Sequence, residues 1–110
     1  MTIQIANVCI DTKDLARASE FWQAVTGYKV SSSDSATVYL EGSEGAVGLS
    51  LQLVPEERQG KNRLHLDLST SDLEDEVKRA KGLGAGEVAT HDGWVVLSDL
   101  DGNEFCICSA

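Results

Sequence analysis

The hydrophobic pattern of the first half of the chain predicts a strand, a helix and three more strands. Apolar residues recur at helical spacing from Leu15 to Val25, and Gly27 supplies a left-handed residue that ends the helix. The serine-rich run Ser31–Ser35 predicts a turn, and Pro55 ends the last strand because proline cannot donate to a sheet ladder. The predicted strands are Ile3–Ile10, Tyr28–Val30, Ala36–Glu41 and Ala46–Val54.

The second half repeats this order after a polar segment, Pro55–Asn62. Leucines alternate with polar residues over Leu64–Leu68, which predicts a half-buried strand. Ser71 and Glu74 have the spacing of a capping box, and they predict the start of a helix that Gly84 ends. Three short strands are predicted next, the last two joined by a tight turn, at Glu87–Thr90, Gly93–Ser98 and Glu104–Cys108.

The two halves superimpose when Asp14 is aligned with Asp72, an offset of 72 − 14 = 58 residues. The same offset aligns Asn7 with His65, because 65 − 7 = 58. These matches predict an α+β fold of two tandem βαβββ modules, about residues 1–54 and 63–110, joined by a linker at about 55–62 in one domain. A ferredoxin-like βαββαβ fold is the competing interpretation, but it needs only two strands between its helices.

Strand alternation predicts one apolar sheet face beneath the helices and a second, mainly polar face with no helix to cover it. Thiols lie among the polar groups of the second face, which argues against full exposure to water. We interpret this face as the wall of a small-molecule cavity, with a solvated sheet as the alternative. Its predicted side chains are Asn7, Cys9, Ser50, Gln52, Arg63, His65, Asp67, Glu104, Cys106 and Cys108.

Composition and charge exclude several classes of partner. The 110 residues are 42% hydrophobic, which is typical of one globular domain. The formal net charge of −9 disfavours nucleic acid and anionic membranes as partners. Because the chain has no long apolar run and no signal-peptide pattern, we expect a cytoplasmic protein whose three cysteines are free thiols.

His65 is the central candidate for chemistry. It is a metal ligand, a general acid or base, or a pocket histidine that bonds to Asp67 or Gln52. Arg63 either holds a substrate carboxylate or forms an ion pair with Asp67 or Glu104. Glu104 is either a general base or a residue exposed to solvent beside its turn.

The aromatic residues divide between the core and the candidate site. Phe21 and Trp22 belong to the apolar stripe of the first helix and are predicted core residues. Trp94 either packs in the core or forms an aromatic wall beside a bound ligand. His91, which precedes a predicted Asp-Gly turn, is interpreted as a solvated loop residue.

Three runs of sequence resemble the vicinal oxygen chelate superfamily, and in particular its glyoxalase-like and bleomycin-resistance-like proteins. The runs are NVCIDTKDLARASEFW at Asn7–Trp22, LQLVPEERQGKNRLHLDL at Leu51–Leu68 and GWVVLSDLDGNEFCIC at Gly93–Cys108. The resemblance covers essentially the whole chain. It implies paired βαβββ units whose mixed sheet forms an open cup with the helices on its outer face.

The resemblance also implies a divalent metal bound through the first and last strands of each unit. The implied positions fall on Asn7, Gln52, His65 and Cys106, which we expect to converge on one hollow. Only His65 is a strong ligand, because a neutral amide carbonyl binds such metals poorly. His65, Gln52 and Cys106 together thus form a weak candidate ligand set for Zn, Ni, Mn or Fe.

Two classes of function follow from the resemblance, and whether the chain is an enzyme stays open. In the first, a metal-assisted lyase or isomerase polarises adjacent oxygens of a small substrate, and Glu104 or His65 moves the proton. In the second, the protein binds or sequesters a small aromatic or drug-like molecule without catalysis. The incomplete ligand set favours the binder or a metal-free enzyme. The resemblance further implies a homodimer.

Overall fold

The computed structural model describes residues 4–110, which form two four-stranded sheets, each with one helix. The chain divides into two compact units, of which the first ends at Glu57 and the second begins at Arg58. We call these units module 1 and module 2. Their boundary falls within the segment Pro55–Asn62. No helix within residues 4–110 is long and apolar enough to cross a bilayer.

Module 1 has a mixed sheet in the order β1-β4-β3-β2. Strand β1 runs parallel to β4, and the other neighbouring strands are antiparallel. Helix α1 connects β1 to β2 and packs on β3 and β4. The elements are β1 (Asn7–Thr12), α1 (Leu15–Thr26), β2 (Lys29–Ser33), β3 (Thr37–Glu41) and β4 (Gly48–Leu53).

Module 2 repeats this topology strand for strand. Its sheet has the order β5-β8-β7-β6, with β5 parallel to β8 and the remaining pairs antiparallel. The predicted α+β fold of two βαβββ modules is therefore confirmed, and the ferredoxin-like alternative is wrong because each helix is followed by three strands of its own sheet. The elements are β5 (Leu66–Thr70), α2 (Leu73–Gly82), β6 (Gly86–His91), β7 (Trp94–Ser98) and β8 (Glu104–Ser109).

Both helices begin at an aspartate whose carboxylate accepts a hydrogen bond from the backbone N–H three residues later. Asp14 caps α1 and Asp72 caps α2. The predicted capping box of Ser71 and Glu74 is wrong by one residue, because the carboxylate of Asp72 takes the N-cap position instead. Left-handed glycines follow both helices as predicted, Gly27 with φ 78° and Gly84 with φ 115°.

Strand boundaries differ from the sequence prediction where the partner strand decides them. Strand β1 begins at Asn7 rather than earlier, because its first pairing is with Gly48; the predicted starting residue, Ile3, lies outside the described residues. The run Ser31–Ser33, predicted as part of a turn, continues β2 beside β3. Strand β5 begins after Leu64, whose side chain is 88% exposed.

Each core lies between a helix and the apolar face of its own sheet. In module 1 the rings of Phe21 and Trp22 pack edge to face with centroids 5.2 Å apart, which confirms both as core residues. Leu40 is 1% exposed, and in module 2 Leu97 is 0% and Phe105 1% exposed. These buried positions hold the backbone that presents the opposite face of each sheet.

Candidate functional site

The face of module 2 that carries the candidate residues is organised in rows across the sheet. Residues paired between neighbouring strands point to the same face. Asp67 pairs with Cys106, and Cys106 pairs with Val96 on the next strand. We call this side the open face of module 2, and its core-facing neighbours are Phe105 and Ile107, both buried.

Three side chains of types that can bind a metal ion meet on this open face. His65 lies directly before β5 and Asp67 is two residues further on, so that both project to one side. His65 Nε2 lies 3.2 Å from Asp67 Oδ1. One nitrogen, oxygen or sulfur ligand atom from each of His65, Asp67 and Cys106 lies within 4.8 Å of the others. We call these three residues the donor trio.

The donor trio combines two accessible side chains with one buried thiol. The side chains of His65 and Asp67 are 51% and 66% exposed, whereas Cys106 is 6% exposed. Burial raises the pKa of Cys106, and the negative charge of Asp67 raises it further. Burial also raises the pKa of Cys108. A cation beside Cys106 would act in the opposite direction, because it favours the thiolate.

Module 1 has a hydrogen-bonded neutral pair on the corresponding face of its sheet, which we call the open face of module 1. Asn7 Nδ2 donates to Ser50 Oγ at 2.7 Å, and Ser50 is 2% exposed. Beside this pair, the Cys9 thiol donates to Gln52 Oε1 at 3.5 Å. Each of these polar groups thus has a partner within its own sheet.

The register of the two sheets identifies the residue of module 1 that corresponds to Cys106. Cys9 pairs with Ser50 in the same way that Asp67 pairs with Cys106. Ser50 is therefore the equivalent of Cys106, whereas Gln52 is two residues further along β4. Gln52 lies on the same face of β4 as Ser50, since residues i and i+2 of a strand share a face, and its assignment to the fourth-strand ligand position stays a prediction.

Two further candidates lie near the donor trio. Glu104 is half-buried and occupies the same face of β8 as Cys106, two residues earlier. Arg63 is exposed, and within residues 4–110 it forms no ion pair with Asp67 or Glu104. Of the two predicted partners of His65, the structure places Asp67 within ion-pair distance.

Trp94 lies on the open face and is 43% exposed, so its interpretation as a core residue is wrong. The reason is alternation along β7, where Val95 and Leu97 point to the core and Trp94 points away. Its indole stacks on the imidazole of His91 with centroids 4.5 Å apart and an interplanar angle of 18°. His91 is the last residue of β6, and its prediction as a loop residue is also wrong.

Asp67 and Tyr39 are both exposed, but only Asp67 belongs to the donor trio. Asp67 was predicted to contact a ligand but not to bind metal, and the His-x-Asp spacing was the available signal. Tyr39 is absent from the predicted site residues; it is 42% exposed and pairs with Ser50 across the sheet of module 1. Its alternation with buried Val38 and Leu40 could have identified it.

Module 1 also contains a cavity of about 450 Å³ beyond the end of α1, which neither Asn7 nor Ser50 lines. The ring of Tyr28 covers Gly42 there, where any Cβ would collide with it. The Tyr28 hydroxyl donates to the carbonyl of Val47 at 2.9 Å. None of the predicted site residues lines this cavity, which is bordered by Thr26, Gly27, Tyr28, Lys29, Glu41, Gly42 and Ser43.

Comparison with known proteins identifies similar folds. A family model described as "Glyoxalase-like domain" matches residues 7–108. A glyoxalase/bleomycin resistance/dioxygenase family enzyme from Burkholderia phytofirmans PsJN is 21% identical with a TM-score of 0.82, over 97% of this chain and 98% of that one. No curated protein matches the sequence.

Fosfomycin resistance proteins are also similar in structure. FosX from Listeria monocytogenes, in complex with Mn(II) and sulfate, is 15% identical with a TM-score of 0.84, over 100% of this chain and 92% of that one. FosX from Mesorhizobium loti is 15% identical with a TM-score of 0.80, over 100% of this chain and 94% of that one. At these identities the likeness shows the fold alone.

Proposed function

This chain belongs to the glyoxalase-like domain family, and from that membership we propose that it binds a small molecule beside a divalent cation on the open face of module 2. The cation would be held by His65, Asp67 and Cys106. The observation that carries this proposal is the approach of their three ligand atoms to within 4.8 Å. The description of FosX from Listeria monocytogenes with Mn(II) supports a divalent cation in this fold.

The chemistry of the donor trio favours zinc over the harder cations. Zinc accepts imidazole nitrogen, carboxylate oxygen and thiolate sulfur, whereas manganese prefers oxygen-rich sites. Three protein ligands are also the number that catalytic zinc sites use, with a fourth position left for water or substrate. We therefore propose zinc first, and nickel, iron and manganese as competitors that the experiment separates.

Glu104 is the residue that we propose to move a proton. When bound, the cation would polarise an oxygen of the substrate. His65 as a ligand would have its nitrogen committed to the cation, so we assign proton transfer to Glu104, a carboxylate on the same face that lies outside the donor trio. Glu104 lies two residues before Cys106 and is half-buried rather than fully solvated. Arg63, exposed just before His65, is proposed to hold an anionic group of the substrate.

A metal-free binding protein is the second candidate function. The Asn7–Ser50 pair favours it, because an amide and a hydroxyl that bond to each other at 2.7 Å are poor metal ligands. In this alternative the open face binds a small aromatic or drug-like molecule without catalysis. The predicted convergence of Asn7 and Gln52 with His65 and Cys106 stays a prediction that is based on the family resemblance.

The metal content of protein purified without a histidine tag separates these functions. The experiment loads each protein with zinc, removes excess ions by gel filtration and measures bound zinc by mass spectrometry. We expect the unaltered protein to retain one equivalent. His65→Ala, Asp67→Asn and Cys106→Ser should each weaken zinc binding at least about tenfold, because each removes one of three ligands.

Cys9→Ser is the matched control for this experiment. Cys9 is a free thiol of module 1 outside the donor trio, so its loss should leave zinc retention unchanged. Circular dichroism of every variant shows whether it folds. Absence of zinc from the folded unaltered protein, or equal zinc binding in all variants, would contradict the metal site and favour the metal-free binder.

The remaining family expectations are also proposals. We propose a homodimer in the cytoplasm on family resemblance, and a sedimentation mass near the 11.8 kDa of one chain would contradict the dimer. We expect negligible turnover of the methylglyoxal–glutathione adduct, because only part of the implied metal site is present. Rapid turnover would instead establish glyoxalase activity.

A further inference from the structure

An exposed aromatic pair shares the open face of module 2 with the donor trio. His91 pairs with Trp94 and Trp94 pairs with Cys108, so the three residues form one row across the sheet. The adjacent row contains Asp67 and Cys106. Because paired residues project to the same side, the aromatic pair and the donor trio face the same space in front of the sheet.

The orientation of Trp94 is set by its neighbours rather than by burial. The adjacent Val95 is 6% exposed in the core, which forces Trp94 to the open face, where 43% of its surface is accessible. The stacked imidazole of His91 covers part of the indole and fixes its plane. A large, rigid, accessible ring of this kind provides a surface on which another flat ring can stack.

The spacing between the two rows matches the size of a single aromatic ligand. Two residues along a strand span about 7 Å, and neighbouring strands are about 4.8 Å apart. The backbone of Trp94 is therefore about 8 Å from that of Cys106. A ring that stacks on the indole and carries a chelating substituent on one edge can reach the donor trio without a long linker.

We infer that His91 and Trp94 form an aromatic subsite, and that the ligand of this protein is a planar arene joined directly to a chelating group. The chelating group would bind the cation held by His65, Asp67 and Cys106, and the arene would stack on Trp94. The inference rests on the proposed function for the cation, but the stacking surface itself depends only on His91 and Trp94. Trp94 thus determines the preference for aromatic ligands, whereas the donor trio holds the cation that would bind the chelating group.

Two hydroxamates that differ only in their ring test this subsite. Benzohydroxamate and acetohydroxamate chelate through the same two oxygens, and only the first carries an arene. We expect the zinc-loaded protein to bind benzohydroxamate about tenfold more tightly by calorimetry, the size typical of aromatic stacking. Trp94→Ala should abolish this preference and leave the affinity for acetohydroxamate unchanged, and His91→Ala should reduce it partly.

Tyr39→Ala is the matched control, because Tyr39 is similarly exposed, at 42%, but lies on the sheet of module 1. It should keep the full preference for benzohydroxamate. A preference that survives in Trp94→Ala, or that Tyr39→Ala abolishes as well, would overturn the subsite. Both exposed substitutions leave the cores intact, and circular dichroism checks that the variants fold.

A measurement on metal-free protein distinguishes failure of the subsite from failure of the metal site. Quinoline, added to the metal-free protein, should shift the nuclear magnetic resonance signal of the Trp94 indole N–H, while the signal of buried Trp22 stays in place. If zinc is never retained but this shift occurs, the aromatic subsite stands and the proposed metal function fails. If zinc is retained and Trp94 does not respond, the subsite is wrong.

Discussion

Module 1 and module 2 share one backbone plan but differ in the chemistry of their open faces. Both sheets have the same strand order, the same parallel pair and a register irregularity in the outer hairpin. Equivalent leucines, Leu40 and Leu97, are almost fully buried in the two cores. The repeated pattern of apolar residues therefore determines the fold, while the residues between them are free to diverge.

The two modules differ at the three positions of the donor trio. Module 1 has Asn7, Cys9 and Ser50 where module 2 has the donor trio. In module 1 the amide of Asn7 donates a hydrogen bond to the hydroxyl of Ser50 at 2.7 Å, so that the two groups are partners of each other. In module 2 an imidazole, a carboxylate and a thiol meet instead, and the first two are accessible to solvent. The comparison shows that one sheet geometry can present either a neutral pair or a set of metal donors.

Placing the donor trio on module 1 should give the largest measurable change, which is a second zinc site. The variant Asn7→His, Cys9→Asp and Ser50→Cys copies the trio of module 2 onto β1 and β4. If the two sheets are equivalent, it should bind a second equivalent of zinc with a dissociation constant of about 1 µM, or about 8 kcal/mol. Isothermal calorimetry of the zinc-loaded variant measures this added site.

Asn7→His alone is the control for the transplant, since one imidazole in place of three donors should add no second equivalent. A folded triple variant that binds no further zinc would show that the sheets differ in side-chain geometry despite their common register. That result would locate the difference between the modules in the backbone as well as in the sequence.

Leucine substitutions test whether the cores of the two modules are equally well packed. Leu40→Ala and Leu97→Ala should each lower the free energy of unfolding by about 3 kcal/mol, because each removes a fully packed side chain and leaves a cavity. Urea denaturation measures both values. Leu64→Ala, at a side chain that is 88% exposed, should cost less than about 0.5 kcal/mol. A large difference between the two buried substitutions would mean that the cores are not equally packed.

The repeat could be predicted from the sequence because it depends on periodicity alone. Helical spacing placed α1 and α2, and strand alternation assigned Phe105 and Ile107 to the core side of β8. Strand ends could not be predicted in the same way, since they depend on the partner strand. Asn7 begins β1 because Gly48 begins β4, and nothing within the first ten residues marks that point.

The candidate site was predictable in its residue types but not in its register. His65 and Cys106 were identified through the family resemblance, and the structure brings them together with Asp67. Ser50 and Gln52 could not be distinguished, because residues two apart on a strand point to the same face. The pairing of the parallel strands shows only that Ser50 has the register position of Cys106. The face on which Trp94 lies could not be predicted either, because a large aromatic residue can lie on the core face or on the open face of a sheet.

The turns that follow β3 and β7 give the smallest expected difference between the modules. Gly42 follows β3 beneath the ring of Tyr28, whereas Asp99 follows β7 and is 5% exposed. Asp99 Oδ1 accepts backbone hydrogen bonds from Asp101 at 2.9 Å and from Asn103 at 2.8 Å. Asp99→Ala should cost about 2 kcal/mol, because it leaves two backbone N–H groups without this acceptor. Asp34→Ala removes a similar but exposed acceptor and should cost less, since water replaces it.

The charge of Asp99 adds a pH dependence that Asp99→Asn removes. Burial raises the pKa of Asp99 above its ordinary value of 3.8, although hydrogen bonds from Asn103 and Asp101 act to lower it. The folded protein therefore binds a proton at this group more tightly than the unfolded chain. Its contribution to stability declines as the pH rises from about 3.8 through the native pKa, and is constant above it.

Asp99→Asn keeps an oxygen acceptor but does not titrate, so the stability of the unaltered protein relative to this variant should fall over that range in urea denaturation. A relative stability that rises with pH would mean that the hydrogen bonds outweigh burial, and that this turn is held by a carboxylate that favours its charged form.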